Sequence, residues 1–284
     1  MVLDTTGLDT ARDLVAARRY TPNMDPTSFA SVLITGASSG IGAALAAACA
    51  RPGAVLHLCG RNGARLDDVA TTCRARGAAV HAVVLDVTDR DAMAAWIGAA
   101  GYLDLVVANA GISAGTGNGH LESDAQTRMI FDVNLHGVLN TALPALAAIQ
   151  AQPEGVDGWR GRIAVLSSVA AFAPAPGAPA YCAAKSAVDV WTVATAAIAR
   201  PRGVLMTSVC PGYVRTAMTA RNRFPMPGLM TADRAASIIL RGLARGKRRI
   251  MFPWWMGLAA RLVGLLPLGV STRLLNSVPG KDSV

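Results

Sequence analysis

The chain has 284 residues, 27 Lys plus Arg against 18 Asp plus Glu, a formal net charge of +9 and 52% hydrophobic residues. That much apolar side chain excludes a disordered protein, because burial can offset the entropy of ordering the backbone, and the length suits one large domain or two small ones. Residues 241–284 hold eight basic residues and one acidic one, a net of +7 that leaves +2 for the first 240, so the charge is a local feature of the tail and argues against a nucleic-acid binder.

In residues 1–28, Asp4, Asp9, Arg12 and Asp13 interrupt any apolar run of a signal peptide, and the segment reads as a short helical extension. Apolar runs of strand length then alternate with longer, Ala-rich segments of helical character. The strands are expected at 29–34 (FASVLI), 54–59 (AVLHLC), 78–85 (AAVHAVVL), 103–108 (LDLVVA), 162–167 (RIAVLS) and 204–210 (VLMTSVC), with 249–252 (RIMF) as a seventh. Segments such as 41–50 and 183–199 read as crossover helices, and 174–179 (PAPGAP) as a loop. Runs without polar alternation predict a parallel sheet of about seven strands covered on both faces, in a single doubly wound α/β domain over 29–252. Residues 253–284 form an apolar, basic C-terminal segment beyond it.

Cys49, Cys59, Cys73, Cys182 and Cys210 form no CxxC pair and read as reduced, mostly buried thiols of a cytoplasmic protein. His57, His81, His120 and His136 show no ligand spacing, so no metal is expected.

Directly after the first strand comes Thr35-Gly36-Ala37-Ser38-Ser39-Gly40-Ile41-Gly42, running into a helix. Glycines there permit a tight turn and close approach of a pyrophosphate, and the helix N-terminus offers free N–H groups and a favourable dipole. On its own such a loop could equally be a plain turn. Its Gly-x-x-x-Gly-x-Gly spacing, however, resembles the TGxxxGxG motif of the classical short-chain dehydrogenase/reductase family. Further marks follow in order: Asp86, Asn109-Ala110-Gly111, Asn134, Ser168, the YxxxK of Tyr181 to Lys185, and Pro211-Gly212 with Thr216 beyond. The resemblance spans roughly 29–250 and implies a Rossmann-type fold. It also implies a cofactor-binding set of Gly36, Ser38, Ser39, Gly40, Ile41, Gly42, Arg61, Asp86, Val87, Asn109, Ala110, Gly111, Tyr181, Lys185, Pro211, Gly212, Val214 and Thr216.

The chemistry of the remaining set can be argued from the residues. Tyr181 and Lys185 are four apart on a helical segment and project from one face. A free phenol is a poor proton carrier at neutral pH, but an adjacent ammonium is expected to lower its pKa, as would a cationic nicotinamide, making Tyr181 the acid in carbonyl reduction or the base in alcohol oxidation. Ser168 is expected to donate a second hydrogen bond to the reacting oxygen. The resemblance adds that Lys185 binds the nicotinamide ribose and that Asn134 anchors a water linking Lys185 to solvent. Plainer roles stand beside these: Tyr181 as a packing residue, Asp86 as a helix cap, Asn109 as a support for the sheet.

The second strand ends Leu58-Cys59-Gly60-Arg61-Asn62, with no carboxylate to accept a ribose hydroxyl and an Arg to meet a 2′-phosphate, which favours NADP(H) over NAD(H) unless Arg61 is a solvated helix-start residue. Between Arg215 and Met230, Met218, Phe224, Pro225, Met226, Pro227, Leu229 and Met230 suggest a hydrophobic substrate or, equally, core anchors.

Lys247-Arg248-Arg249 precedes residues 250–270, fifteen of whose twenty-one residues are apolar, interrupted by Pro253, Arg261 and Pro267. These breaks argue against a spanning helix and leave a membrane-surface segment, a lid over the substrate or a subunit interface. The expected activity is hydride transfer between nicotinamide and a hydrophobic ketone or secondary alcohol, with a lipid or long-chain keto compound as its sharper form. The resemblance implies a homodimer or homotetramer. The rival is a non-catalytic NADP-binding sensor or scaffold of the same fold.

Overall fold

A computed structural model describes residues 29–116, 121–222 and 224–276; the expected N-terminal helix, His120 and residues 277–284 lie outside these. The strands are β1 (Ser31–Thr35), β2 (Val55–Gly60), β3 (Ala79–Val84), β4 (Leu105–Ala108), β5 (Gly161–Leu166), β6 (Val204–Pro211) and β7 (Arg249–Phe252). They form one sheet in the order β3-β2-β1-β4-β5-β6-β7, every neighbouring pair parallel. The chain's order reverses between β1 and β4, which opens a crevice at the C-terminal ends of the strands, where doubly wound sheets hold their ligands.

The helices are α1 (Gly40–Cys49), α2 (Gly63–Ala75), α3 (Arg90–Gly98), α4 (Asp124–Phe131), α5 (Gly137–Ala151), α6 (Pro179–Ala199), α7 (Ala232–Ala244), α8 (Trp254–Gly264) and α9 (Leu268–Asn276). Alternate residues of each strand feed opposite layers. Val32 and Ile34 of β1 join Leu45 of α1, Leu66 of α2 and Ile239 of α7 in one core. Leu33 joins Met93 of α3, Val138 of α5 and Val188 of α6 in the other.

Asn62, Asp89, Ser123 and Thr231 cap α2, α3, α4 and α7 by accepting hydrogen bonds from first-turn N–H groups. At α1 the Ser39 side chain makes no such bond. Its first turn therefore opens to the crevice without a side-chain cap.

One expectation needs correction. β3 is not covered on both faces: it is the outermost strand, and Val84 is 62% exposed. An edge position, which the residues of a strand do not announce, explains this. At the opposite edge, α8 packs on β7 and on a 3-10 turn, Val169–Phe172. A Cβ on Gly257 would collide with Met251, and one on Gly264 with the Phe172 carbonyl, so close approach of α8 depends on those two positions.

Candidate active site

The glycine loop is shaped by the backbone around it. Gly36 adopts φ +64°, and a Cβ there would lie 2.8 Å from Ala110 Cα. Gly40 adopts φ +58° beside Thr216. Gly42 stands one turn into α1, against the Gly36 carbonyl and Asn109 Nδ2, with no room for a side chain. It shapes the loop from behind and is not among the residues that line the cavity.

Thr35, which sequence reasoning left out of the site set, clamps the loop to β4. Its Oγ1 accepts from Asn109 N (3.0 Å) and Ala110 N (3.2 Å). Asn109 Nδ2 donates in return to the Thr35 carbonyl (2.9 Å) and the Gly36 carbonyl (3.2 Å). Asn109 thus acts as the support beneath the loop.

A single cavity of about 1110 Å³ runs from this loop to the far edge of the sheet. It exceeds the usual size for one drug-sized ligand, leaving room for a dinucleotide and a second molecule. Gly36, Ser38, Ser39, Gly40, Ile41, Arg61, Asp86, Val87, Asn109, Ala110, Gly111, Ser168, Tyr181, Lys185, Pro211, Gly212, Val214 and Thr216 all line it. Gly42 and Asn134 do not.

Ser168 lies two residues beyond β5 and caps the 3-10 turn, where its Oγ accepts from Ala170 N at 3.1 Å. It is also hydrogen-bonded to Tyr181 at the start of α6, so thirteen residues of separation collapse to a contact. Lys185, one turn on, is buried and donates from Nζ to the Leu166 carbonyl at 2.7 Å, with Nζ 5.9 Å from the Tyr181 ring centroid. Ser167 Oγ donates to the Lys185 carbonyl (2.8 Å), tying α6 to the end of β5. One further turn along, the Asp189 carboxylate accepts from Ser208 Oγ (2.6 Å) and from Arg249 Nε (3.0 Å) and Nη2 (2.7 Å). α6 is thereby locked to β6 and β7.

The expected lowering of the Tyr181 pKa is not found. Burial pushes the phenol up to about 12, and the Ser168 hydrogen bond offsets this only in part. The Lys185 ammonium is engaged with a backbone carbonyl and lies beside the ring.

Asn134 sits in a π-helical turn, Asp132–His136, between α4 and α5. Its Oδ1 accepts from Ile112 N (2.9 Å) and its Nδ2 donates to the Ile112 carbonyl (2.8 Å). A Cβ on Gly111 would lie 2.9 Å from Asn134 Oδ1 and 3.5 Å from Lys185 Nζ. Its side chain therefore braces the strand end beside Lys185.

At the other end, Asp86 Oδ1 accepts from Thr88 N (3.0 Å) and Thr88 Oγ1 (2.9 Å), while Asp89 is the cap of α3. Asp86 Oδ2 lies 3.8 Å from Arg61 Nη1, both largely exposed. Arg65, held one turn from Arg61 by the Asn62 cap (2.9 Å), also faces this end of the cavity and was missed in the sequence. Arg61, Arg65 and Asp86 thus share this end of the cavity.

The far wall is apolar. Met218, Phe224, Pro225 and Pro227 line it as expected, whereas Met226, Leu229 and Met230 do not; Met230 packs against the core and bridges to Val214. Tyr213 meets Phe224 edge-on at 6.0 Å, and Trp255, Met256 and Ala260 of α8 complete the wall. The sequence signals for these four were weak because their neighbours in the wall come from distant segments.

All five cysteines are free and buried, with burial pushing Cys49, Cys59 and Cys210 up to about 12. His57 and His81 stack across β2 and β3 at 5.1 Å, and His136 pairs with Asp132 at 3.1 Å.

A phosphate cradle at the strand switch, a Ser-Tyr-Lys group on its flank and an apolar wall opposite define a nicotinamide-dependent oxidoreductase acting on a CH–OH or C=O group. The short chain dehydrogenase family model matches residues 30–225, and the chain belongs to that family. An uncharacterized oxidoreductase of Myxococcus xanthus is 36% identical over 248 residues, covering 86% of this chain and 95% of that protein. A short-chain dehydrogenase from Sphingobium yanoikuyae, solved in complex with NADPH, superposes with a TM-score of 0.71 at 27% identity, over 89% of this chain and 98% of that one. A dehydrogenase from Beutenbergia cavernae with bound NADP at low occupancy gives a TM-score of 0.68 at 29% identity, over 80% and 96%.

Proposed function

We propose that the enzyme is an NADP(H)-dependent reductase of hydrophobic ketones, running in reverse on secondary alcohols, and that its natural substrate is a lipid-like or long-chain keto compound. The observation that carries this reading is the Ser168–Tyr181 hydrogen bond, opening on a cavity with a phosphate cradle at one end and an apolar wall at the other.

When bound, the nicotinamide supplies the hydride. The open first turn of α1 and the loop of Gly36 and Gly40 hold the pyrophosphate. Arg61 and Arg65 would take a 2′-phosphate, and Asp86 and Val87 would flank the adenine. Lys185, whose Nζ is held at the Leu166 carbonyl, would bind the nicotinamide ribose. With a ketone bound, Tyr181 would give its proton to the carbonyl oxygen and be left as a phenolate, to be reprotonated from solvent past Lys185 and Asn134, while the cofactor would supply the hydride to carbon. Ser168 steadies the charge developing on the same oxygen. Burial raises the phenol, so proton transfer in either direction would draw on the positive charges of Lys185 and of the oxidised cofactor to bring it back down.

Met218, Phe224, Pro225, Pro227 and Trp255 favour an apolar substrate body. Five free thiols suit the reducing cytoplasm, and exposed Leu143, Val190 and Ile198 on α5 and α6 suit a homodimer or homotetramer. Association with a membrane surface through the C-terminal segment agrees with its basic, apolar character.

The test follows NADPH and NADH absorbance during reduction of methyl ketones of increasing chain length. The expected result is kcat/KM rising with chain length and at least about tenfold higher with NADPH. Preference for a short, charged ketone, or for NADH, would overturn the assignment.

A further inference from the structure

The helices after β7 have two unlike faces. Trp255, Met256 and Ala260 line the cavity. Trp254 is 71% exposed, Leu258 49%, Leu262 56% and Leu265 82%. Spacings of four, four and three put these side chains on one side of α8. Leu268, Leu266 and Val270 extend the exposed apolar surface to α9. Surfaces of this kind are rarely left to water in a soluble protein.

The charge around them limits what can cover them. Residues 234–276 carry eight Arg or Lys and no Asp or Glu. Arg241, Arg245 and Lys247 line a second cavity, of about 300 Å³, together with Met251, and Met251 packs against Gly257 of α8. Arg249 lines that cavity too and lies over the Phe172 ring at 5.4 Å, with Arg261 of α8 over the same ring at 4.7 Å. The cationic patch and the apolar helix are thus joined by direct contacts. A second copy meeting this face about a twofold axis would set the basic segment against itself. An anionic lipid surface satisfies both features, with tryptophan and leucine at the acyl boundary and Arg and Lys at the headgroups.

We infer that the outer face of α8 and α9 docks on anionic bilayers, with Arg241, Arg245 and Lys247 engaging lipid phosphates. Because the inner face of the same helix walls the cavity, docking places the cavity next to molecules dissolved in the bilayer. This last step rests on the hydrophobic-substrate reading above; the docking itself does not.

The experiment is co-sedimentation of the full chain with vesicles of phosphatidylcholine alone or with one part in three phosphatidylglycerol, in low and high salt. Binding should require the anionic lipid and weaken with salt. Leu258→Asp with Leu262→Asp should reduce it at least tenfold, as should Arg245→Glu with Lys247→Glu, while turnover of a water-soluble ketone stays within twofold and confirms the fold. Loss of vesicle binding without loss of soluble turnover supports docking whatever the substrate proves to be. No binding to anionic vesicles, or binding unchanged in both variants, overturns it. So does a fall in oligomer size in the leucine variant when the wild type does not sediment with vesicles, which would assign the face to a second copy.

Discussion

The two ends of the cavity are built by different means. At the cofactor end, the shape is set by backbone: the turn of Gly36 to Gly42, the uncapped start of α1 and the clamp between Thr35 and Asn109. At the substrate end, the shape is set by side chains from four separated segments, Ala170 and its 3-10 turn, Tyr213, Phe224 and α8. Backbone geometry tolerates few residue types, so the first end recurs as a recognisable spacing. A wall of apolar side chains can be rebuilt from many combinations, so the second end leaves no fixed spacing in the sequence.

Substitutions at the two ends should therefore fail in different ways. The largest effect is expected for Gly36→Val, where a branched side chain meets Ala110 at a positive φ. Affinity for NADPH, read by its fluorescence, should fall about a hundredfold, corresponding to ~2.7 kcal/mol, with circular dichroism confirming the fold. An affinity within threefold of wild type would break the contrast. The smaller effect is expected for Phe224→Ala, which removes one side of the apolar wall and the edge contact with Tyr213. It should raise KM for a long-chain ketone about tenfold while leaving NADPH affinity within about twofold. A matching loss of cofactor affinity would show that the two ends are not separable.

The same contrast explains what could be read without coordinates. All seven strands stand within a few residues of their apolar runs; burial of the inner strands leaves a continuous signal, and β3 carries an apolar run although it is an exposed edge. The Thr35 to Gly42 loop was legible because its glycines answer steric demands. Ser168 and Tyr181 were legible as a spaced pair, and the structure brings them into contact.

What escaped depends on three-dimensional neighbours. Arg65 reads as one more helix-surface cation until the fold turns the start of α2, capped by Asn62, toward the cavity. Tyr213 and Trp255 acquire meaning only when β7 brings α8 back over the Pro211-Gly212 turn, where a Cβ on Gly212 would meet Met256 and Pro253. The direction of the Tyr181 shift was misjudged for the same reason. Four residues of helical spacing place Lys185 near the phenol, but they do not reveal that its ammonium is held by the Leu166 carbonyl while the ring is buried.

The central claim is that Tyr181 supplies the proton at a site whose cofactor cradle is independent of it. The most direct measurement compares Tyr181→Phe with wild type, for NADPH affinity and for single-turnover reduction of a ketone. The account predicts affinity within about threefold and a rate lower by about a thousandfold, the range expected for a lost general acid. Turnover at the wild-type rate in the phenylalanine variant would contradict it.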